Sequence, residues 1–339
     1  MEGIIKLLKE IDPEGLSLVE QRYIILRSVY LNQPVGRRVL CSLLCISERP
    51  LRAEVKRLEE LGLIQINQNG MKVTQQGKDV IDGLEGFIFG IRGLKPLEQQ
   101  VKKRFNCEKV IIVPGDLEND GAIKKLLGKK AADFLVSSLN DNDVVAVTGG
   151  TTVAQVPKSI TSNYSFTNVL VVPGRGGLNE KVEIQSNTIV AELAEKLGAN
   201  YRLLFVPDNL SVEAMESMVN EPDIRELINT IHNANILLHG IGRADEMARR
   251  RGMNEHKISD ILNKGAVAEA FGYYFNSKGQ IVHTTSSMGI CVSDLKNIRT
   301  VIAIAGGTSK AAAIQAFLRY KSQAVLITDE AAARKLIEF

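Results

Sequence analysis

The sequence predicts an α/β protein of two unlike domains, a small helical one followed by a larger one with a mostly parallel sheet. Three observations support this class. Residues 1 to about 85 carry apolar residues at helical spacing and no long β-branched run. From about residue 105, short apolar runs recur, each followed by glycine, proline or asparagine and then by a helical pattern. Such alternation is typical of βαβ units, and 339 residues are enough for two domains.

The bulk composition excludes several protein classes. Apolar residues make up 45% of the chain and charged residues 24%, which is ordinary for a globular protein. A net charge of +3 is too small to indicate a polyanionic partner by itself. Four cysteines do not make a disulfide framework and fit a reducing compartment. Neither a signal peptide nor a stretch long enough for a membrane span is visible, so we expect a cytoplasmic protein without a membrane partner.

The change of pattern along the chain predicts the domain boundaries. We expect the first domain at residues 1–88, a linker with a connecting helix at 89–105, and the second domain at 106–339. The runs that predict strands in the second domain are 110–115, 144–150, 169–177, 201–208, 234–242, 300–307 and 324–329.

The first domain has the element order of a winged helix-turn-helix. Apolar spacing predicts helices at Leu18–Leu31 and Gly36–Leu44, and a third helix that begins near Pro50 and stops at Gly62. The following alternating stretch contains Asn69-Gly70, a strong hairpin signal. In this arrangement the third helix enters the major groove of DNA.

The charge of this domain supports DNA binding. Eight basic and two acidic residues lie between Arg22 and Arg57. The third helix places an apolar stripe on one face, formed by Leu51, Val55, Leu58 and Leu61. The opposite face is basic. We expect base contacts from Arg49 and Arg52, and phosphate contacts from Arg37, Arg38, Lys56 and Arg57. A solvated basic face on a protein-interaction domain is the alternative.

Two cysteines of the second helix need a separate interpretation. Cys41 and Cys45 are four residues apart, but no histidine or further cysteine pair with metal-ligand spacing is nearby. We therefore predict buried apolar cysteines and no metal site.

The second domain contains two Gly-Gly-Thr loops after predicted strands, TGGTT at 148–152 and AGGTSK at 305–310. Backbone N–H groups after such glycines cradle phosphate, and a following helix N-terminus adds partial positive charge. The first loop lacks a Walker lysine and the third glycine of a dinucleotide fingerprint. Arg175 lies between glycines in PGRGG, where a guanidinium can grip a phosphate. We expect a ligand with two phosphates, or with one phosphate and hydroxyls at its other end.

The order of these motifs resembles that of SorC/DeoR-type bacterial regulators. The resemblance is carried by TGGTT, by HGIGR at 239–243, by KGAVAEAFGYYFNSKG at 264–279 and by AGGTSKAAAIQAFL at 305–318. It implies a Rossmann-like effector domain of the sugar-phosphate isomerase type, which binds a sugar and assembles the chain into a homo-oligomer, a dimer or tetramer. Over its whole length the chain resembles one kind of member of that family, and this implies a repressor of glycolytic genes on operator DNA, induced by fructose-1,6-bisphosphate and needing no cofactor.

The resemblance and the chemistry together give the expected effector-binding residues. One phosphate is bound by the first loop, at Gly149, Gly150, Thr151 and Thr152. Positive charge and a second cradle come from Arg175 and from the second loop, at Gly307, Thr308, Ser309 and Lys310. Sugar hydroxyls are held by Gln185 and Glu269. Of the basic cluster at 249–251, Arg250 is expected to face inward, with a solvated helix end as the alternative.

Two other functions stay open at this point. An active isomerase or deaminase fused to a DNA-binding domain needs a positioned carboxylate with a basic partner. Asp245 and Glu246 are the candidate pair, with His239 or His283 as the partner. The acidic residues usual for the family are displaced in residues 265–276, so no catalysis is expected. A regulator that responds to a polyol or an acyl-CoA is the third possibility.

Overall fold

The computed structural model describes residues 2–161, 164, 166–177, 181–207, 212–285 and 287–339. The chain divides into two compact units. The first comprises Met1–Leu97 and Pro114–Ile123, and the second comprises Glu98–Val113 and Lys124–Phe339. No helix in the described ranges is long and apolar enough to cross a membrane.

The described part of the first unit contains a winged helix-turn-helix preceded by an additional helix. Its elements are α1 (Glu2–Ile11), α2 (Pro13–Asn32), α3 (Arg37–Leu44), α4 (Glu48–Glu60), β1 (Ile64–Asn67), β2 (Gly70–Val73) and α5 (Gln75–Ile91). The three predicted helices and the hairpin are therefore present. The extra elements are α1 and the long α5, which occupies the start of the predicted linker.

Local chemistry sets the ends of these helices. The side chain of Asp12 caps α2 by accepting a hydrogen bond from the Gly15 N–H, and Thr74 caps α5 in the same way. Gly62 follows α4 with a φ of 71°, a left-handed conformation that suits glycine. Because α4 ends at Glu60, Leu61 does not continue the apolar stripe and is exposed, contrary to the prediction. The other three stripe residues are buried.

The hairpin turn lies one residue earlier than the Asn-Gly pair predicts. Asn67 pairs with Gly70, so the turn consists of Gln68 and Asn69. Gly70 has a φ of 121°, and a Cβ there would lie 3.0 Å from the backbone of Val35. Glycine is thus required because the wing packs closely against Val35.

The second unit is built around a sheet with helices between its strands. The second unit begins within α6 (Leu94–Phe105). Because α5 and α6 together cover most of residues 89–105, most of the predicted linker is helical. The further elements are β3 (Lys109–Val113), α7 (Ile123–Ser138), β4 (Val144–Val147), α8 (Gln155–Ser159), β5 (Leu170–Pro173), α9 (Ser186–Leu197), β6 (Asn200–Tyr201), α10 (Val212–Val219), α11 (Pro222–His232), β7 (Ile236–Gly240), β8 (Gly242–Arg243), α12 (Ala244–Arg250), α13 (Glu255–Asn263), β9 (Ala266–Ala270), β10 (Tyr273–Asn276), β11 (Ile281–Thr284), β12 (Thr300–Ile304), α14 (Ala311–Tyr320), β13 (Val325–Asp329) and α15 (Glu330–Glu338).

The main sheet is parallel and has the order β3-β13-β12-β7-β4-β5-β6. Each predicted strand run contributes one strand. The run at 201–208 contributes only Tyr201 to β6, and its last residue, Asp208, lies outside the described residues. The chain adds β5 and β6 on one side of β4, and β7, β12 and β13 on the other. The strand order therefore reverses between β4 and β7, where sheets of this class bind ligands beyond the carboxyl ends of their strands.

A small antiparallel sheet of order β11-β10-β9-β8 was not predicted. Its strand β9 reads AVAEA, and alanine and glutamate are poor strand formers. An aromatic cluster packs beside it, because Phe317 of α14 contacts the rings of His239, Phe271 and Phe275 at centroid distances of 4.7 to 6.2 Å. Tertiary packing thus makes this segment a strand although the strand propensity of its residues is low.

Candidate functional site

A cavity of the second unit lies where the carboxyl ends of β4, β5, β7 and β12 meet. It brings together nine of the twelve predicted effector-binding residues: Gly149, Gly150, Thr151, Thr152, Arg175, Gln185, Arg250, Glu269 and Lys310. Gly307, Thr308 and Ser309 are not among its lining residues. Arg251 lines the cavity as well, although no sequence pattern distinguishes it from its two arginine neighbours.

The first loop is held in a fixed shape next to the entry of α9. The Gly150 N–H donates to the Ile184 carbonyl at 3.0 Å, so it is not available to a phosphate in this conformation. A Cβ on Gly149 would lie 2.8 Å from the same carbonyl oxygen, which explains the glycine. Thr151 to Val153 form a turn before α8. This helix has only five residues, so its N-terminus carries a weak helix dipole.

Of the four residues predicted to bind a phosphate in this loop, only Gly150 has its N–H occupied by a protein acceptor within the described ranges. Among the described residues, the backbone N–H groups of Thr151, Thr152 and Val153 donate to no protein acceptor. They follow Gly150, whose φ of 137° turns the chain. Successive N–H groups after a left-handed residue form a concave site for an anion, and the threonine hydroxyls can add further donors.

Arg175 is almost fully buried at the end of β5, with a relative exposure of 5%. Its Nη2 donates to the Thr285 hydroxyl, and its Nη1 lies 3.7 Å from Glu269 Oε1. The Arg175 backbone also pairs with Gly289, and its carbonyl accepts a hydrogen bond from the Ser186 hydroxyl. The guanidinium is thus fixed before any ligand arrives.

Glu269 lies on β9 and is tied to the protein through one oxygen. Its Oε1 accepts from Arg251 Nη2 at 2.7 Å and from the Gly272 N–H. Gln185, the N-cap residue of α9, lies across the cavity. The two residues predicted to hold sugar hydroxyls are therefore both in the cavity, and one of them also binds two arginines.

The second loop contributes its lysine but not its glycine. The Gly307 N–H donates to Asp329 Oδ2 at 2.9 Å, so it is not available to a phosphate, and Thr308 and Ser309 are exposed. Only Lys310 reaches the cavity. The predicted second backbone cradle is therefore replaced by side-chain cations.

Burial lowers the pKa of the Lys310 ammonium. The nearby Arg250, Lys124 and Arg243 lower it further, whereas Glu246 raises it. Among the described lining residues, four cationic side chains (Arg175, Arg250, Arg251 and Lys310) lie beside one carboxylate, that of Glu269. Such an excess of positive charge in a partly desolvated site favours an anionic ligand.

The acid and base candidates for catalysis do not assemble in this cavity. Asp245 is held by Arg243 through two hydrogen bonds of 3.1 and 2.8 Å, and these bonds lower its pKa despite partial burial. Glu246 is exposed. His239 is fully buried, and burial lowers its pKa to about 4. Burial and nearby lysines also lower the pKa of His283. None of these four residues lines the cavity, and the one carboxylate among its described lining residues, that of Glu269, contacts two arginines.

One group of potential metal ligands lies away from the cavity lining. His232, Cys291 and Asp294 bring their ligand atoms within 4.8 Å of one another. Asp294 Oδ2 already contacts His232 Nδ1 at 2.6 Å and accepts from the Cys291 N–H at 2.7 Å. These contacts give the carboxylate a structural role in anchoring the segment after β11.

The basic surface of the first unit forms largely as predicted. All six residues expected at DNA are exposed on α3 and α4: Arg37, Arg38, Arg49, Arg52, Lys56 and Arg57. Two other basic residues of the same stretch are not part of it. Arg22 pairs with Glu54 at 2.7 Å, and Arg27 is buried against the Tyr23 ring.

The cysteines of α3 differ from the prediction. Cys41 is half-buried and Cys45 is exposed. Cys45 follows the last residue of α3 with a φ of 51°, so it lies in the turn and not on the apolar face of the helix.

Comparisons with known proteins identify both units. A family model for sugar-binding domains matches residues 91–338, and a model for the CggR N-terminal DNA binding domain matches residues 18–88. Over 337 residues the chain is 42% identical to the central glycolytic genes regulator of Bacillus subtilis, covering 99% of each chain. The chain belongs to the family of central glycolytic genes regulators. The regulator of Priestia megaterium is 43% identical over 338 residues, again with 99% of each covered.

Solved structures agree with this family assignment. A SorC family transcriptional regulator from Enterococcus faecalis superposes with a TM-score of 0.67 at 38% identity, over 71% of this chain and 99% of that one. The full-length sorbitol operon regulator SorC from Klebsiella pneumoniae matches 93% of this chain and 97% of its own, with a TM-score of 0.67. At 19% identity, the latter shows the shared fold alone. The chain is thus a transcriptional regulator with a DNA-binding and a sugar-binding domain.

Proposed function

We propose that this regulator represses glycolytic genes and is induced by a phosphorylated sugar, fructose-1,6-bisphosphate, without catalysing a reaction. The cavity with its excess of cationic side chains carries the proposal. The N–H groups at residues 151–153 suit one phosphate, and Arg175, Arg250 and Lys310 suit the other. The names of the two relatives covering 99% of the chain support glycolytic genes as the target.

The sugar between the phosphates needs acceptors for its hydroxyl groups. Gln185 and Glu269 line the same cavity as the cations. The hydrogen bonds and the ion pairs of Glu269 fall on Oε1, which leaves Oε2 to accept from a hydroxyl. The absence of an assembled acid and base pair among the described lining residues argues against the isomerase alternative.

Induction requires that effector binding weakens operator binding. In our proposal the sugar-binding domains assemble the chain into a homo-oligomer in the cytoplasm, so that several basic α4 helices engage one repeated or palindromic operator. The effector changes the relation between subunits and weakens their simultaneous engagement. Because this coupling is a free energy between two binding sites, operator DNA weakens effector binding by the same factor.

A titration of the full-length regulator on fluorescent operator DNA tests this proposal. We expect fructose-1,6-bisphosphate to lower operator affinity or to change the number of subunits bound. Fructose 6-phosphate and glucose 6-phosphate should do so only at much higher concentration, because each lacks one phosphate. Unchanged operator affinity and stoichiometry with the bisphosphate would contradict the proposal. Isomerisation of any of these sugars by the protein would favour the enzyme alternative.

A further inference from the structure

Three buried charged side chains form a chain of contacts behind the cavity. Their relative side-chain exposures are 6% for Arg175, 4% for Glu269 and 2% for Arg251. They come from the end of β5, from β9 and from the residue after α12, so separate elements meet at this point. At such burial an ion pair is weakly screened, and its geometry is sensitive to the loss of either partner.

The contacts have an order that runs from Arg251 to Arg175. Arg251 Nη2 donates to Glu269 Oε1 at 2.7 Å, and the Gly272 N–H donates to the same oxygen. That oxygen in turn faces Arg175 Nη1 at 3.7 Å. The position of Glu269 Oε1 therefore depends on Arg251, and the electrostatic contact of Arg175 depends on Glu269.

The turn between β9 and β10 completes the arrangement. Gly272 has a φ of 92°, and a Cβ built on it would lie 1.8 Å from Arg175 Nη1. The guanidinium thus rests directly on the glycine backbone, while its Nη2 reaches Thr285 after β11. The hydroxyl of Tyr274 on β10 lies beside Arg251, and burial together with Glu269 raises the pKa of that hydroxyl, which stays protonated.

We propose that Arg251 is a positioning residue for the phosphate-binding guanidinium of Arg175, acting through Glu269. We call the contacts that run from Arg251 through Glu269 to Arg175 the relay. The small antiparallel sheet supplies two of its parts, because β9 carries Glu269 and the β9–β10 turn carries Gly272. Fixing the guanidinium in advance lowers the ordering cost of ligand binding, since a long flexible side chain no longer has to be immobilised. This inference rests on the proposed function only in that the ligand carries phosphate.

The test is a double-mutant cycle read by effector affinity. Arg251→Gln removes a hydrogen bond to a charged partner, and we expect fructose-1,6-bisphosphate to bind about tenfold more weakly. In an Arg175→Ala background the same substitution should cause only about a twofold further loss, because most of its effect passes through Arg175 and only the remainder through the sugar hydroxyl that Glu269 accepts. The matched control is Arg249→Gln, which changes an exposed arginine of the same cluster and should leave effector affinity unchanged.

Additive losses would overturn the inference, because they would give Arg251 a structural role independent of Arg175. Wild-type affinity in Arg251→Gln would overturn it as well. Thermal unfolding checks that each variant is folded. If Arg251→Gln is not, Arg251→Lys keeps the charge without the planar fork, and the cycle is repeated with the same expected non-additivity and a smaller loss.

The design separates this inference from the proposed function. If the wild-type protein does not bind fructose-1,6-bisphosphate, the effector assignment fails, and inorganic phosphate becomes the probe. Weaker phosphate binding by Arg251→Gln, absent from the Arg175→Ala background, would still support the relay. Equal phosphate binding by wild type and variant, or no phosphate binding by the wild type, would refute it.

Discussion

Replacing Arg175 with alanine should separate effector binding from folding and from operator binding. The substitution removes a buried guanidinium, but its partners Glu269 and Thr285 each keep another contact. Glu269 Oε1 still accepts from Arg251 and from the Gly272 N–H, and the Thr285 hydroxyl still donates to the Gly272 carbonyl. The backbone pairing of residue 175 with Gly289 does not need the side chain.

The magnitudes follow from these contacts. The lost protein contacts of Arg175 correspond to a fall in unfolding free energy of about 1–3 kcal/mol. A charge-assisted hydrogen bond to phosphate contributes a similar energy, so the effector should bind about 10- to 150-fold more weakly. Operator affinity in the absence of effector should be unchanged, because the six basic residues predicted at DNA lie in the other unit.

Calorimetric titration with fructose-1,6-bisphosphate and fluorescence anisotropy of labelled operator measure the two affinities separately. Arg249→Ala is the matched control, since that arginine is exposed and its closest acidic contact is 3.4 Å away. Unchanged effector affinity in Arg175→Ala would refute the assignment of this guanidinium to the ligand. Loss of operator affinity together with a large fall in unfolding temperature would show instead that the side chain is needed for folding.

Three further predictions concern other parts of the molecule. Burial lowers the pKa of Lys310 in the free protein, and a bound phosphate favours the charged form of this lysine. Effector affinity should therefore fall as pH rises through that lowered pKa. Calorimetric titrations over a pH series should show this dependence of affinity on pH in the wild type and not in Lys310→Met. Lys56→Ala should weaken operator binding and reduce the slope of log affinity against log salt by about 1, whereas Lys6→Ala on α1 should change neither. Phe317→Ala should lower the unfolding free energy by about 3–5 kcal/mol in denaturant titrations, because its ring is fully buried among three others.

Patterns that act over a few residues were readable from the sequence. Helical spacing gave the three helices of the DNA-binding domain, and the hairpin signal gave the wing to within one residue. The apolar runs gave the strands of the parallel sheet, because buried parallel strands are continuously apolar. Since such a sheet binds ligands at the carboxyl ends of its strands, the residues after β4 and β5 were found from the sequence as well.

The tertiary structure decided which of the candidate groups are available to a ligand. The N–H groups of Gly150 and Gly307 look equally suitable in the sequence, but Ile184 and Asp329 occupy them in the fold. Of three consecutive arginines, Arg249 is exposed, and Arg250 and Arg251 line the cavity. No local pattern carries this information, because these hydrogen bonds join residues that are distant in sequence.

The sequence by itself determined the fold class, the order of domains and the edge of the sheet at which the candidate site lies. All three depend on periodicity and on loop residues at strand ends, which are properties of short segments. The tertiary structure decided which charged side chains line the cavity and which contacts hold Arg175 and Arg251 in position. That outcome depends on β9, whose alanines and glutamate form a strand only because the small sheet and the aromatic cluster around Phe317 pack against it.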